Sequence, residues 1–301
     1  MQKITPCVWF NGEAEEAVNF YTSVFKNSKV GKVLKYDEAS AEASGQPLGS
    51  VLTIDFAIEG NNFLALNGGP AFTINPSVSF FVITKDESEV DFLWENFSDG
   101  GKVLMELNQY DWSKKYGWIE DKFGLSWQLM LTEDEIKQKI IPLLLFVDKV
   151  YGKAEEAMKY YTSVFKTGKV ESVYKYGPDF KPNDENALMY GDFVIEGYKF
   201  AAMDSAMDHD FNFNEAISFI VYCKDQEEVD HYWNHLTSNG GEESMCSWLK
   251  DKYGVSWQIT PKILVEMLND KDSVKAKRAM MAMLQMKKII ISDLEKAYSG
   301  N

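Results

Sequence analysis

At 301 residues, with 45% apolar side chains and eight tryptophans, the chain has the material for about two packed cores. A formal net charge of −15 excludes a nucleic-acid binder working through a clustered Lys/Arg footprint. Cys7, Cys223 and Cys246, widely spaced and without a CxxC, exclude a disulfide framework and a zinc knuckle, and no apolar run is long enough to span a membrane.

Residues 4–10 form an apolar run that ends at Asn11-Gly12, which reads as a strand and a turn rather than a signal peptide. Together with the cysteine usage this points to a reducing, cytoplasmic compartment. Over 13–25, Ala14, Ala17, Val18, Tyr21 and Phe25 recur at helical spacing. Segments 30–37 and 50–59 alternate with period two, and Glu59-Gly60-Asn61-Asn62 has hairpin chemistry before a returning strand at 62–67. That is one β-α-β-β-β unit. A second follows, with a strand at 77–84 and a helix over 86–97 stopped by Asp99-Gly100-Gly101. Strands at 102–107, 115–120 and 125–131 complete it.

The chain then repeats itself. Gly12-Glu-Ala-Glu-Glu-Ala-Val-Asn-Phe-Tyr-Thr-Ser-Val-Phe-Lys26 returns as Gly152-Lys-Ala-Glu-Glu-Ala-Met-Lys-Tyr-Tyr-Thr-Ser-Val-Phe-Lys166. Trp118-Ile-Glu-Asp-Lys-Phe-Gly-Leu-Ser-Trp-Gln128 returns as Trp248-Leu-Lys-Asp-Lys-Tyr-Gly-Val-Ser-Trp-Gln258. Two blocks in the same order, 130 to 140 positions apart, indicate a duplicated α+β domain rather than a solenoid, whose units run ~20–50 residues. The expected divisions are 1–132, 140–260 and a helical tail at 261–301, with a linker at 133–139. In the tail, 262–268 and 274–288 read as helices, and Ser292-Asp293 as the cap of a last one. Met280, Met281, Met283 and Met286 suit either packing on the protein or a lid over a groove.

Several residues are candidates for chemistry. Gln128 and Gln258 end the most specific motif, and each is either a polar anchor in a cleft or a hydrogen-bonded strand residue. Trp127 and Trp257, next to them, must face the opposite way, toward the core. In Asp204-Ser-Ala-Met-Asp208-His209-Asp210, Asp204 and His209 form either an acid/base pair, an oxygen/nitrogen metal site, or part of a solvated acidic loop. Tyr110, Trp112, Tyr116 and Trp118 cluster in sequence; Tyr110 and Trp112 are the better candidates for stacking on a ligand. His231 and His235 have metal-compatible i, i+4 spacing, but the intervening residues lack the Glu of a zinc protease. Cys7 has no basic neighbour to lower its pKa and reads as a small buried hydrophobe.

These repeated motifs, with 211–219 and the tail, resemble the vicinal-oxygen-chelate superfamily of glyoxalases, bleomycin-resistance proteins and dioxygenases, and within it the PhnB-like branch labelled 3-demethylubiquinone methyltransferase-like. The resemblance implies two tandem glyoxalase/bleomycin-resistance-type domains, each with paired β-α-β-β-β units forming a cup of strands. It also implies metal ligands at four strand positions. By eye these are Thr5, Ala65, Ser77 and Gln128 in one repeat and Ile141, Ala202, Ala216 and Gln258 in the other, with Glu215 one residue from the fifth-strand position and Asn67 and Asp204 near the fourth-strand one. Each set holds one amide and no His, Asp or Glu, a poor match to a transition metal. The expectation is therefore no bound metal and no cofactor. No G-x-G-x-x-G occurs to support a methyltransferase.

The leading expectation is a metal-free small-molecule-binding protein, its ligand planar or cationic, with the domains as an internal pseudo-dimer and a homodimer left open. The ligand-binding candidates are Gln128, Gln258, Tyr110, Trp112, Asp204, His209 and Glu215. The alternatives are a divalent-metal-dependent lyase, isomerase or dioxygenase, and a scaffold whose clefts are closed by their own side chains.

Overall fold

The computed structural model describes residues 2–300; Met1 and Asn301, the ends of the expected first domain and tail, lie outside them. The first unit runs β1 (Ile4–Phe10), α1 (Ala14–Val24), β2 (Ser28–Lys35), α2 (Glu38–Ser44), β3 (Val51–Ile58) and β4 (Asn61–Asn67). The second runs β5 (Val78–Thr84), α3 (Glu87–Ser98), β6 (Lys102–Tyr110), β7 (Ser113–Glu120) and β8 (Ser126–Leu131). The third is β9 (Ile140–Phe146), α4 (Ala154–Val164), β10 (Gly168–Lys175), β11 (Leu188–Ile195) and β12 (Tyr198–Asp204). The fourth is β13 (Ile217–Cys223), α5 (Gln226–Leu236), β14 (Glu242–Glu243), β15 (Trp248–Lys250) and β16 (Ser256–Pro261). The tail adds α6 (Lys262–Leu268), α7 (Ser273–Leu284) and α8 (Ile291–Ser299).

The α+β class and tandem repetition hold, but the units combine differently from the expected cup within each repeat. One eight-stranded sheet, here sheet A, has the order β14-β15-β16-β13-β1-β4-β3-β2; sheet B has the order β10-β11-β12-β9-β5-β8-β7-β6. Each sheet therefore joins the first unit of one repeat to the second unit of the other, through antiparallel β1–β13 and β5–β9 seams. The seams cover strand edges. A unit alone would leave β1 or β9, both apolar, with a bare row of backbone donors and acceptors.

The main core is shared by the helix-bearing faces of both sheets. Phe63 of sheet A meets Phe80 of sheet B edge to face, with centroids 5.1 Å apart. Trp127 and Trp257 are fully buried there. Helices α1 and α4 bury Ala14, Ala17, Val18, Tyr21 and their repeat counterparts, as the i, i+3, i+4 pattern requires. Neither has a side-chain cap of its own. Their first amides are capped from β4 and β12 instead: Asn67 Oδ1 accepts from Ala14 N at 2.9 Å, and Asp204 Oδ1 accepts from Gly152 N and Ala154 N at 2.8 and 3.2 Å.

Helix α2, absent from the sequence expectation, has a full capping box between Asp37 and Ser40 and ends at Gly45 in the left-handed conformation. The tail has a small core of its own around Leu264, Met267, Ala279, Ile289 and Leu294. It ties both borders of sheet A together. Lys277 pairs with Glu38 at the start of α2, at 2.5 Å, while Cys246 N and Ser247 N donate to Met286 O and Lys287 O at 2.7 and 2.9 Å. Ser292 and Asp293 do not cap α8; Ile291 N donates to Gln226 Oε1 of α5 at 2.8 Å. Among the described residues no helix is long and apolar enough to cross a membrane.

Candidate functional site

Alternation along the strands puts one set of side chains on the face away from the main core, and the two sheets differ there. In sheet B this face is an apolar cluster including Phe81, Ile141, Leu143, Leu145 and Ala201. Gln128 lies in it, buried, with both ends of its amide used: Tyr116 Oη donates to its Oε1 at 2.8 Å, and its Nε2 donates to Ser79 Oγ at 2.9 Å. Tyr110 and Trp112, at the β6–β7 turn, stack on each other at 5.0 Å and both abut Tyr116 edge-on. The structure thus gathers three of the seven candidates around Tyr116, which the sequence places in the same aromatic cluster but not among the ligand-binding candidates.

In sheet A the matching face is more polar. Gln258 Nε2 donates to Ser218 Oγ at 3.0 Å, and both side chains lie against the Cys7 thiol. Burial, only partly opposed by those two contacts, pushes that thiol up to about 12, so it is an inert filler. Glu215 is engaged at 3.2 Å by Lys250.

Asp204 and His209 do not form an acid/base pair. Asp204 is held by backbone amides, with Leu188 N completing the set at 2.8 Å, and burial raises its carboxyl against those bonds. His209 meets Ser205 Oγ at 2.8 Å and leans on Phe211, and burial outweighs the Asp208 charge to lower its pKa. His231 Nε2 contacts Val164 O at 2.8 Å, and His235 Nδ1 contacts His231 O at 2.7 Å.

A superfamily metal does not fit the residues present. Regrouped by sheet, the four positions are Thr5, Ala65, Ala216 and Gln258 in sheet A, and Ile141, Ala202, Ser77 and Gln128 in sheet B. Ala65 and Ala202 face the core, and neither set offers an imidazole or carboxylate. Among the described residues no three His, Cys, Asp or Glu side chains are grouped so that they could hold a metal ion.

An open cavity of about 350 Å³ lies at the mouth of the sheet B face, walled by Trp118, Leu104, Phe211 and His209, with Glu120 and Asp210 at its rim. A second, about 340 Å³, lies on the far side of His209 against Tyr151, Asp148 and Asp208. Of the first cavity's walls, the sequence places Trp118 in the aromatic cluster but favours Tyr110 and Trp112 as ligand candidates, and Phe211 is not among the candidates. The available signal was that Trp118 shares the face of Tyr116, two residues along the same strand.

Comparison with known proteins agrees with this architecture. The family model described as 3-demethylubiquinone-9 3-methyltransferase matches twice, over residues 2–130 and 138–260. No curated protein matches at a significant level. Among solved structures, a PhnB protein from Bacillus cereus, described with the same methyltransferase name, is 38% identical over 44% of this chain and 100% of its own, at a TM-score of 0.40. Glyoxalase I from Zea mays is 12% identical over 84% of this chain and 89% of its own, at 0.52, and a mutant of that enzyme is 10% identical over 87% and 95%, at 0.55. Those two likenesses concern the fold alone. With both repeats matched, the chain belongs to the 3-demethylubiquinone-9 3-methyltransferase (PhnB-like) family, carried twice in tandem on a vicinal-oxygen-chelate fold.

Proposed function

We propose that this protein is a metal-free, small-molecule-binding member of its family, and that its working cleft is the mouth of sheet B. One observation carries the reading: the cavity walled by Trp118, Phe211 and His209 is open, while the floor beneath it is filled and its polar groups are paired. Small-molecule sites are typically concave and mostly apolar with a few polar groups at the edge, which is the character of this mouth. Its aromatic walls favour a planar ligand, and at its rim Lys102 pairs with Glu120 at 3.4 Å, which leaves the Asp210 carboxylate to favour a cationic one. Sheet A, held by the tail, serves mainly as support. Free cysteines at all three positions suit a reducing, cytoplasmic setting.

The test is a thermal-shift screen with small organic molecules beside Mn²⁺, Ni²⁺, Zn²⁺ and Fe²⁺. A ligand at about 100 times its Kd adds ~2.7 kcal/mol of stability, a readily measured shift. Organic hits that Trp118→Ala abolishes support the reading. A saturable, chelator-sensitive metal shift would overturn it in favour of a metalloenzyme.

A further inference from the structure

The internal duplication supplies a filled counterpart of the open mouth. In sheet A the corresponding place is filled by the indole of Trp9, packed edge-to-face against Phe72 at 5.0 Å and against Trp248 at 6.0 Å. Phe72 and Trp248 are the repeat counterparts of Phe211 and Trp118, the walls of the open cavity. The counterpart of Trp9 is Leu145: Ile4-Thr-Pro-Cys-Val-Trp-Phe10 aligns with Ile140-Ile-Pro-Leu-Leu-Leu-Phe146. Backbone bonds confirm the equivalence, since Trp9 N donates to Ala216 O and Leu145 N to Ser77 O, both at 2.8 Å.

A second position changes together with it. A Cβ on Gly68 would lie 2.2 Å from the Trp9 ring, so the indole occupies space that only glycine leaves free. The equivalent residue is Ser205; Gly68 N and Ser205 N donate to Phe10 O and Phe146 O, each at 3.0 Å. One copy therefore carries the matched pair Trp9 and Gly68, and the other carries Leu145 and Ser205. The indole is absent from sheet B while its aromatic walls remain, and the Ser205 side chain takes the innermost part of its space.

The rim of the slot indicates polarity. Trp9 Nε1 donates to Gly69 O at 2.7 Å, in the short connection after β4. The matching connection after β12 is two residues longer, six between Asp204 and Phe211 against four between Asn67 and Phe72, and it brings His209 and Asp210 to the cavity.

We propose that the sheet B mouth binds a flat nitrogen heteroaromatic ring between Trp118 and Phe211, the counterparts of the walls that grip the Trp9 indole, lying outward of the indole position because Ser205 carries the Cβ that Gly68 lacks, with a ring N–H turned toward the 205–210 connection. This rests on the small-molecule-binding reading and narrows its ligand class.

The experiment uses indole as the probe, with stoichiometry read by calorimetry and location by protein-observed NMR. Wild type is expected to bind one indole beside Trp118 and Phe211. Trp9→Gly should bind a second, between Phe72 and Trp248, and recover part of its lost melting temperature as indole is added. Leu145→Trp combined with Ser205→Gly should bind none, while Ser205→Gly alone still binds one; the single variant separates loss of the slot from loss of the Ser205–His209 contact. Should the double variant fail to fold, the Trp9→Gly stoichiometry decides. Wild type binding no indole, or Trp9→Gly gaining no site, overturns the inference. If the screen yields ligands at Trp118 but no planar nitrogen ring among them, this inference falls and the binding reading stands; if no small molecule binds at all, both fall.

Discussion

The Tyr21 hydroxyl donates to the Asp121 carboxylate at 2.9 Å across one hundred residues of chain, and Tyr161 does the same to Asp251 at 2.7 Å. Each aspartate also takes the indole N–H of the tryptophan six residues on, at 2.8 and 2.9 Å, and two backbone amides of its own turn. The two motifs that recur in each repeat are thus two sides of one buried contact, which fastens the first helix of a repeat to its last hairpin.

Asparagine in place of Asp251 would turn an amide NH₂ toward groups that are all donors. Asp251→Asn is expected to lose about 2–4 kcal/mol, and Tyr161→Phe about 1–2 kcal/mol, in urea unfolding. An Asp251→Asn protein as stable as wild type would show that the four-donor cluster does not matter.

Two carboxylates give opposite pH dependence. Burial raises the Glu228 carboxyl, but Lys3, the Lys224 amide and Lys166 outweigh it and hold it at about 2, below its ordinary 4.5. Its contribution is full above about pH 4.5 and is lost as pH falls toward 2, so the stability gap between wild type and Glu228→Gln should close over that interval. Burial pushes Asp251 up to about 6 in spite of its donors. It favours the fold most below about pH 4, and that contribution is lost as pH rises through 6. A carboxyl stretch titrating near 6, absent from Asp251→Asn, is the expected infrared signature.

Gln226 holds the tail at both ends of its amide, accepting from Ile291 N at 2.8 Å and donating to Ile289 O at 3.1 Å. Gln226→Ala should cost about 1–2 kcal/mol. In native-state hydrogen exchange the loss should appear in α8 and leave β13 unchanged; equal loss in both would mean that the tail and sheet unfold together.

Gln128→Leu separates a floor residue from a ligand anchor. Removing the amide leaves Tyr116 Oη and Ser79 Oγ unpaired in an apolar cluster, at a cost of about 1–3 kcal/mol. Ligands at the Trp118 cavity should keep their affinity. A variant of full stability that no longer binds them would restore Gln128 as the anchor.

Local pattern carried most of the elements: the i, i+4 stripe of α1, the period-two strands, and the bounds of β1 and α6 are all readable from spacing. Helix α2 was not, because its only buried side chain is Ser40 and no apolar stripe marks it. The exchange of units between sheets was not legible either, since periodicity says which face a strand buries and nothing about its neighbour. That is why Thr5 was grouped with Gln128 when it lies in the sheet of Gln258. Asp204 was visible as a charge but not as a helix cap, a role that depends on a contact fifty residues away.

The β1–β13 and β5–β9 seams have a consequence for divergence. Where identical single-domain chains pair to build such sheets, any substitution is copied into both clefts at once, so one cannot be closed without closing the other. Joining both copies in one polypeptide removes that constraint. A tryptophan at position 9 and a leucine at position 145 are then independent choices, and one molecule holds a cleft filled by its own indole beside an open one.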